Sequence, residues 1–169
     1  MHTRAFLAPL LAAIASLAPA VVRGETAYER TTLALLEKLQ ERDMPDVMLW
    51  VIEQASGAPE CSADTRRRLD FLKGSALISQ SRTTADIEAR TRLLDEAEKA
   101  IDAFLASSPA DEMAIAAFTQ KGNLLVERGR ISLALAQRPG ANAATLSTEA
   151  VAFFDRAIKT LRTAVPAAA

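Results

Sequence analysis

Phe71-Leu72-Lys73-Gly74-Ser75-Ala76-Leu77, followed by Ser81-Arg82, returns forty-eight residues later as Thr119-Gln120-Lys121-Gly122-Asn123-Leu124-Leu125, followed by Gly129-Arg130. Lys-Gly, the Leu three residues on and the Arg five beyond that coincide in both copies. Each copy leads into a matching second segment: Ala100-Ile101, Phe104 and Pro109 answer to Ala157-Ile158, Leu161 and Pro166. Similarity across both halves of a unit favours stacked repeats, because each unit needs its neighbour to bury its apolar face. The competing reading is an ordinary six-helix bundle in which Lys-Gly recurs by chance. A mid-helix glycine costs about 1 kcal/mol relative to alanine. Gly74 and Gly122 are therefore expected where a partner helix comes close enough to need the space of a side chain.

The flanking segments read as helices. Alanine supplies 28 of the 149 residues after Ala20 and aromatics only seven, a composition that favours closely packed helices. Tyr28, Thr32, Leu35, Leu36 and Leu39 share one face of a first helix. Met44-Pro45 opens a second, with Asp43 as its N-cap. Val47, Met48, Trp50, Val51 and Ile52 make that helix apolar over most of its surface, so Met48 and Trp50 read as core. Residues 57–62 form a loop. A third helix over about 63–81 buries Leu69, Leu72, Ala76 and Leu77. A fourth, from about 84 to 107, turns Ile87, Leu94, Ala97, Ile101 and Phe104 inward. Ser108-Pro109-Ala110-Asp111 starts a fifth, which carries Ile115, Phe118, Gly122, Leu125 and Val126 and runs to Gln137. Arg138-Pro139-Gly140 breaks it. The sixth, over about 143–164, places Ala150, Val151, Phe154, Ala157, Ile158 and Leu161 on one stripe. No stretch alternates at period two, so the expected class is all-α: antiparallel hairpins stacked as a short solenoid of about six helices. A leading hairpin covers 25–62 and two further hairpins cover 63–166.

These residues resemble the tetratricopeptide repeat family, whose unit is an antiparallel helix pair of about 34 residues. Gly122, Leu125 and Gly129 match the first-helix pattern, and Ala150, Phe154 and Ala157 the second. In the earlier copy Gly74, Leu77 and Ala100 match, while Ser81 replaces the turn glycine. Gly74 to Leu93 spans 19 residues and Gly122 to Ala150 spans 28, longer than the family allows, and Lys precedes the glycine in both copies instead of Leu. Each copy thus carries an insertion or longer helices between its halves. The resemblance covers roughly 65–166, and 26–56 look like a degenerate leading hairpin. The whole chain is also similar to the N-terminal part of exported helical-repeat proteins of environmental bacteria. The resemblance implies a scaffold that binds proteins or peptides of unspecified identity. First helices of stacked hairpins line a concave groove, which puts Lys73, Gln120, Lys121 and Asn123 forward as partner-binding residues. A subset of the family grips terminal carboxylates; Asn123 fits one of its positions, but Thr119 stands where the lysine should be, so that activity is not carried over. Phe153, at the shoulder of the last helix's stripe, is a further candidate for partner contact or self-association.

Composition narrows the function. The 20 Lys and Arg against 21 Asp and Glu lack the basic excess of a nucleic-acid binder. Met1-His2-Thr3-Arg4, an uncharged run and Ala18-Pro19-Ala20 read as a secretory signal peptide, cleaved after Ala20 or Gly24, giving a periplasmic or secreted chain without a stable membrane span. The alternative is an uncleaved anchor over 5–22, an 18-residue stretch interrupted by Pro9 and Pro19. His2 is the lone histidine, so cleavage removes serine-histidine and cysteine-histidine catalysis and histidine metal sites. Cys61 is also alone and reads as a buried or idle thiol. Arg66-Arg67-Arg68 fans around a helix and cannot make one patch. No catalytic residue, metal or cofactor is expected. The alternatives are a self-associating or truncated array, and a small-ligand carrier or carboxylate-based enzyme.

Overall fold

Side-chain caps mark where several of the helices begin. The computed structural model describes residues 25–107 and 112–164, so the leader, the Ser108–Asp111 start signal and Pro166 lie outside the described residues. Helix α1 (Ala27–Glu41) opens on a capping box: the Thr26 hydroxyl accepts the Glu29 N–H, and the Glu29 carboxylate accepts the Thr26 N–H. It closes with the Met44 N–H donating to the Leu39 carbonyl at 3.0 Å and the Asp43 N–H to the Gln40 carbonyl at 3.1 Å. That pairing needs a left-handed residue, and Asp43 supplies it at φ 50°. Asp43 therefore ends α1 and does not cap α2 (Pro45–Ser56), whose N-cap is Met44 with no side-chain hydrogen bond. Ser62 caps α3 (Ala63–Thr83). Helix α4 (Ile87–Ser107) starts later than expected, because Thr84 is extended and terminates α3, and the Asp86 carboxylate accepts the Ala89 N–H at 2.6 Å. Helices α5 (Glu112–Ala136) and α6 (Ala143–Ala164) complete the six helices of the described residues, which contain no strand. The fold is all-α.

Packing follows chain order. Helix α1 lies on α2, α2 on α3, α3 on α4, α4 on α5 and α5 on α6, with α1 reaching α3 and α3 reaching α5. Among the described residues, α1 touches none of α4, α5 and α6. Two cores result. One holds Leu36, Met48, Ile52 and Leu69 from α1 to α3; the other holds Leu77, Leu94, Ile101, Phe104, Leu124 and Ala157 from α3 to α6. Leu49 packs against both.

The glycines sit where helices meet. A Cβ on Gly74 would lie 2.5 Å from Ile101 Cγ1, one on Gly122 2.5 Å from Leu161 Cγ, and one on Gly129 2.5 Å from Phe154 Cε1. Ala100, Ala150, Ala157, Leu77 and Leu125 are buried as expected. The pairing is nevertheless not the same in both hairpins. Gly74 faces Ile101, whereas Gly122 faces Leu161, which corresponds to Phe104 and not to Ile101. Helix α6 is thus displaced by one turn, and Ile158, the counterpart of fully buried Ile101, is 50% exposed.

Several expected core positions are exposed. Trp50 is 62% exposed and not core, while its neighbour Met48 is buried as expected. Tyr28, Leu35, Val47, Ile115 and Val151 are also exposed. All lie on the first or last pair of helices; α3 and α4 expose no large hydrophobic side chain. A terminal hairpin has a neighbour on one side only, so part of its apolar stripe stays uncovered. Among the described residues no helix is long and apolar enough to cross a membrane.

Candidate functional site

One face of α3 carries Ser75, Ser79 and Arg82, spaced four and three residues apart and so one above another. The Ser79 hydroxyl donates to Asp43 Oδ1, drawing the α1–α2 turn onto this ladder, and Gln80 Nε2 donates to Asp46 Oδ1 at 2.6 Å. Between the turn, α3 and Gln120 of α5 lies an open cleft of about 160 Å³. Its walls include Asp43, Arg82, Ser75 and Gln120, and Met44, Met48 and Ile78 give it an apolar surface. Ser75 is 8% exposed, and its Oγ has no hydrogen-bond partner among the described residues.

Behind Arg82 is a buried carboxylate. The Glu127 side chain is 3% exposed and gathers three guanidinium groups: Arg82 Nε at 3.1 Å, Arg130 Nη1 at 2.9 Å and Arg90 Nη2 at 3.6 Å. Burial of a carboxylate demands such partners. Arg82 is therefore anchored through Nε, and its two terminal nitrogens make no hydrogen bond among the described residues.

The expected binding residues do not converge. Gln120 lines the cleft. Lys121, next to it, turns the other way and donates to Asp102 of α4. Lys73 is exposed beside Asp70, whose carboxyl is pushed up by burial against the lysine's pull. Asn123 is half-buried and lies outside the cleft walls. Phe153 faces α4 and α5 within the molecule, lining a second cavity of about 150 Å³. The guanidinium carbons of Arg156 and Arg128 lie 5.7 and 6.0 Å from its ring centroid. Arg128 in turn bridges Asp95 at 2.6 Å and Glu98 at 2.8 Å. Phe153 is thus partly covered from within the molecule.

Cys61 is buried, and burial pushes its thiol up, away from the reactive thiolate. Of the three consecutive arginines, Arg67 and Arg68 both pair with Asp64; Arg67 also lies over Phe104, and Arg68 reaches Glu25. Among the described residues no three His, Cys, Asp or Glu side chains group as a metal site.

Sequence reasoning missed Asp43 as a cleft residue, Ser75, Arg90 and Glu127. Two signals pointed there. Arg82 and Arg130 are equivalent in the repeat, and Glu127 interrupts the apolar run Leu124-Leu125-Val126. Comparison with protein-family models, curated proteins and solved structures gives no match.

Proposed function

We propose that the chain is a non-catalytic, exported scaffold of tetratricopeptide-like helical hairpins that binds a protein or peptide partner in the cell envelope. The observation carrying this reading is the concave cleft between the α1–α2 turn, α3 and α5, the side on which first helices of successive hairpins approach one another. Chain-order packing supports the repeat-array reading, since arrays bury their core between neighbours in sequence. The basic start and uncharged run of residues 1–24 support export. The scaffold acts by shape and charge complementarity and needs no cofactor.

The test uses the full-length chain with a C-terminal tag, expressed in its host, crosslinked in the envelope fraction and identified by mass spectrometry. The expected result is a recurrent partner that is lost on Gln120→Trp, which narrows the cleft from its α5 wall, together with an N-terminus at residue 21 or 25. A partner retained by the variant removes the groove reading, and an intact leader removes export. A second reading, self-association, is favoured by Val151 and Ile158, 57% and 50% exposed seven residues apart on α6. Recovery of the chain crosslinked only to itself, abolished by Val151→Ser with Ile158→Ser, is the outcome that reading requires.

A further inference from the structure

Among the described residues, large hydrophobic side chains are exposed at the two ends of the row of helices and nowhere on α3 or α4. At the first end Val47 and Trp50 lie one turn apart on α2; at the last, Val151 and Ile158 lie two turns apart on α6. Trp50 is the most exposed of them at 62%. Tryptophan gains much from burial and is enriched among the anchors of protein interfaces.

The two ends carry opposite charge. Residues 25–56 hold seven Asp and Glu against three Lys and Arg, a formal charge of −4. Residues 112–164 hold seven Lys and Arg against four Asp and Glu, a formal charge of +3. Between them, residues 57–107 are nearly balanced, with nine acidic side chains and eight basic ones. The imbalance reaches the apolar faces. Asp46 and Glu53 are exposed one turn before and one turn after Trp50 on α2, a helix without Lys or Arg. On α6 the exposed Arg156, Lys159 and Arg162 outnumber Asp155 around Ile158.

This polarity distinguishes the ways in which a second molecule could cover the ends. Two copies meeting by the same end set like charges against each other, which opposes association, whereas an acidic end on a basic end is favoured. Packing within the chain already runs from hairpin to hairpin in one order, α2 on α3 and α4 on α5. A second copy that lays its α1–α2 end on α6 continues the same row.

We infer that this chain binds a second copy of itself head to tail, the Trp50 face of α2 in one copy lying on the Val151–Ile158 face of α6 in the next. Head-to-tail stacking is a particular form of the self-association read above from α6, and rests on it; the α1–α2 end supplies the other half of the contact. The two halves differ, so each added copy leaves one end of each kind open, and assembly runs past a dimer unless a ring closes.

Sedimentation of the untagged chain purified from its host tests this over a range of concentrations. The unaltered chain is expected to form species larger than a dimer, in amounts that fall as salt rises from about 0.05 to 0.5 M and screens the ends from each other. Trp50→Glu and Ile158→Glu each blunt one end, and each alone should weaken association tenfold or more, as loss of an interface anchor does. Mixed together, the two variants should form a one-to-one pair that grows no further, because the intact α6 of one meets the intact α2 of the other. In that mixture only the Ile158→Glu chain keeps the single tryptophan, whose emission should move to shorter wavelength as the pair forms. Both substitutions fall on exposed side chains, and restored pairing is a gain that a misfolded variant cannot produce. A dimer that survives Trp50→Glu and is lost in Ile158→Glu means that α6 pairs with α6; self-association then stands and head-to-tail stacking falls. Failure of the mixed variants to pair also overturns the stacking. A chain that stays monomeric at about 1 mM, weaker than specific recognition, removes both.

Discussion

Arg82 of α3 and Arg130 of α5, equivalent residues of the two repeat copies, close on the same oxygen of Glu127, at 3.1 and 2.9 Å. The repeat thus does more than echo itself. Its two arginines meet across the junction between successive hairpins and neutralise a carboxylate that is 3% exposed. Glu127→Ala should lower stability by about 1–3 kcal/mol, below the usual cost of breaking a buried pair because Arg82 and Arg130 are half or more exposed and rehydrate. Replacing both arginines by alanine should cost more than the sum of the single changes, since only Arg90 at 3.6 Å then faces the carboxylate. Urea midpoints of the four variants measure the coupling.

The two repeat glycines should differ in their tolerance of alanine. A Cβ at Gly74 meets Ile101, which is fully buried, so Gly74→Ala should cost about 1–3 kcal/mol through overpacking despite the gain in helix propensity. At Gly122 the Cβ meets Leu161, a half-buried side chain that can swing outward. Gly122→Ala should therefore be the milder change in thermal unfolding. Equal losses would show that Leu161 is held as firmly as Ile101.

Equivalent isoleucines should also part. Ile101→Ala removes a side chain with no exposed surface, at a cost of about 2–5 kcal/mol. Ile158→Ala touches a residue 50% exposed and should change stability by less than about 0.5 kcal/mol. Denaturant unfolding of the pair reads the one-turn displacement of α6 directly.

Glu29 links two helix starts that lie far apart in sequence. Its Oε1 accepts the Ser62 N–H at 2.7 Å and the Thr65 hydroxyl at 2.9 Å, while Oε2 closes the capping box of α1. Hydrogen bonds from Ser62, then Thr26 and Thr65, hold this carboxyl far below its ordinary 4.5. A depressed carboxyl contributes stability that is present above its unfolded value and disappears as pH falls toward the folded one. The stability advantage of the native chain over Glu29→Gln should therefore be full at neutral pH and shrink below about pH 4.5. Urea midpoints of both chains from pH 7 to pH 3 provide the comparison.

Ser75→Ala should stabilise the chain in the absence of any ligand. The hydroxyl is buried without a partner, and removing such a group relieves about 1 kcal/mol of desolvation cost. A rise in melting temperature is the expected reading; a fall would mean that water satisfies Ser75 in solution.

How much of this was legible depended on the kind of signal. The start of α3 and the bounds of α6 followed from apolar spacing with flanking turn residues, and Gly74 and Gly122 marked helix contacts because mid-helix glycine is costly without one. Trp50 misled, since periodicity identifies an apolar stripe without saying how much of it a neighbour covers. Asp43 misled in a different way: preceding Pro45, it suits an N-cap, but α1 needed a left-handed residue and aspartate tolerates that conformation. The cleft was the least legible part. Asp43, Ser75, Arg82 and Gln120 come from three separate regions, and only the fold of α1–α2 against α3 and α5 gathers them. Lys73 and Lys121 occupy equivalent positions, yet Lys121 is drawn to Asp102 while Lys73 stays exposed.

Packing in chain order has a mechanical consequence. A force applied at the two ends passes mainly from each helix to the next, with side paths from α1 to α3 and from α3 to α5, because among the described residues α1 shares no contact with α4, α5 or α6. Such a molecule extends by peeling from whichever end is weaker, one hairpin at a time, while the remainder keeps its shape. Leu49, seated against both cores, marks the joint at which the N-terminal hairpin would separate from the other four helices.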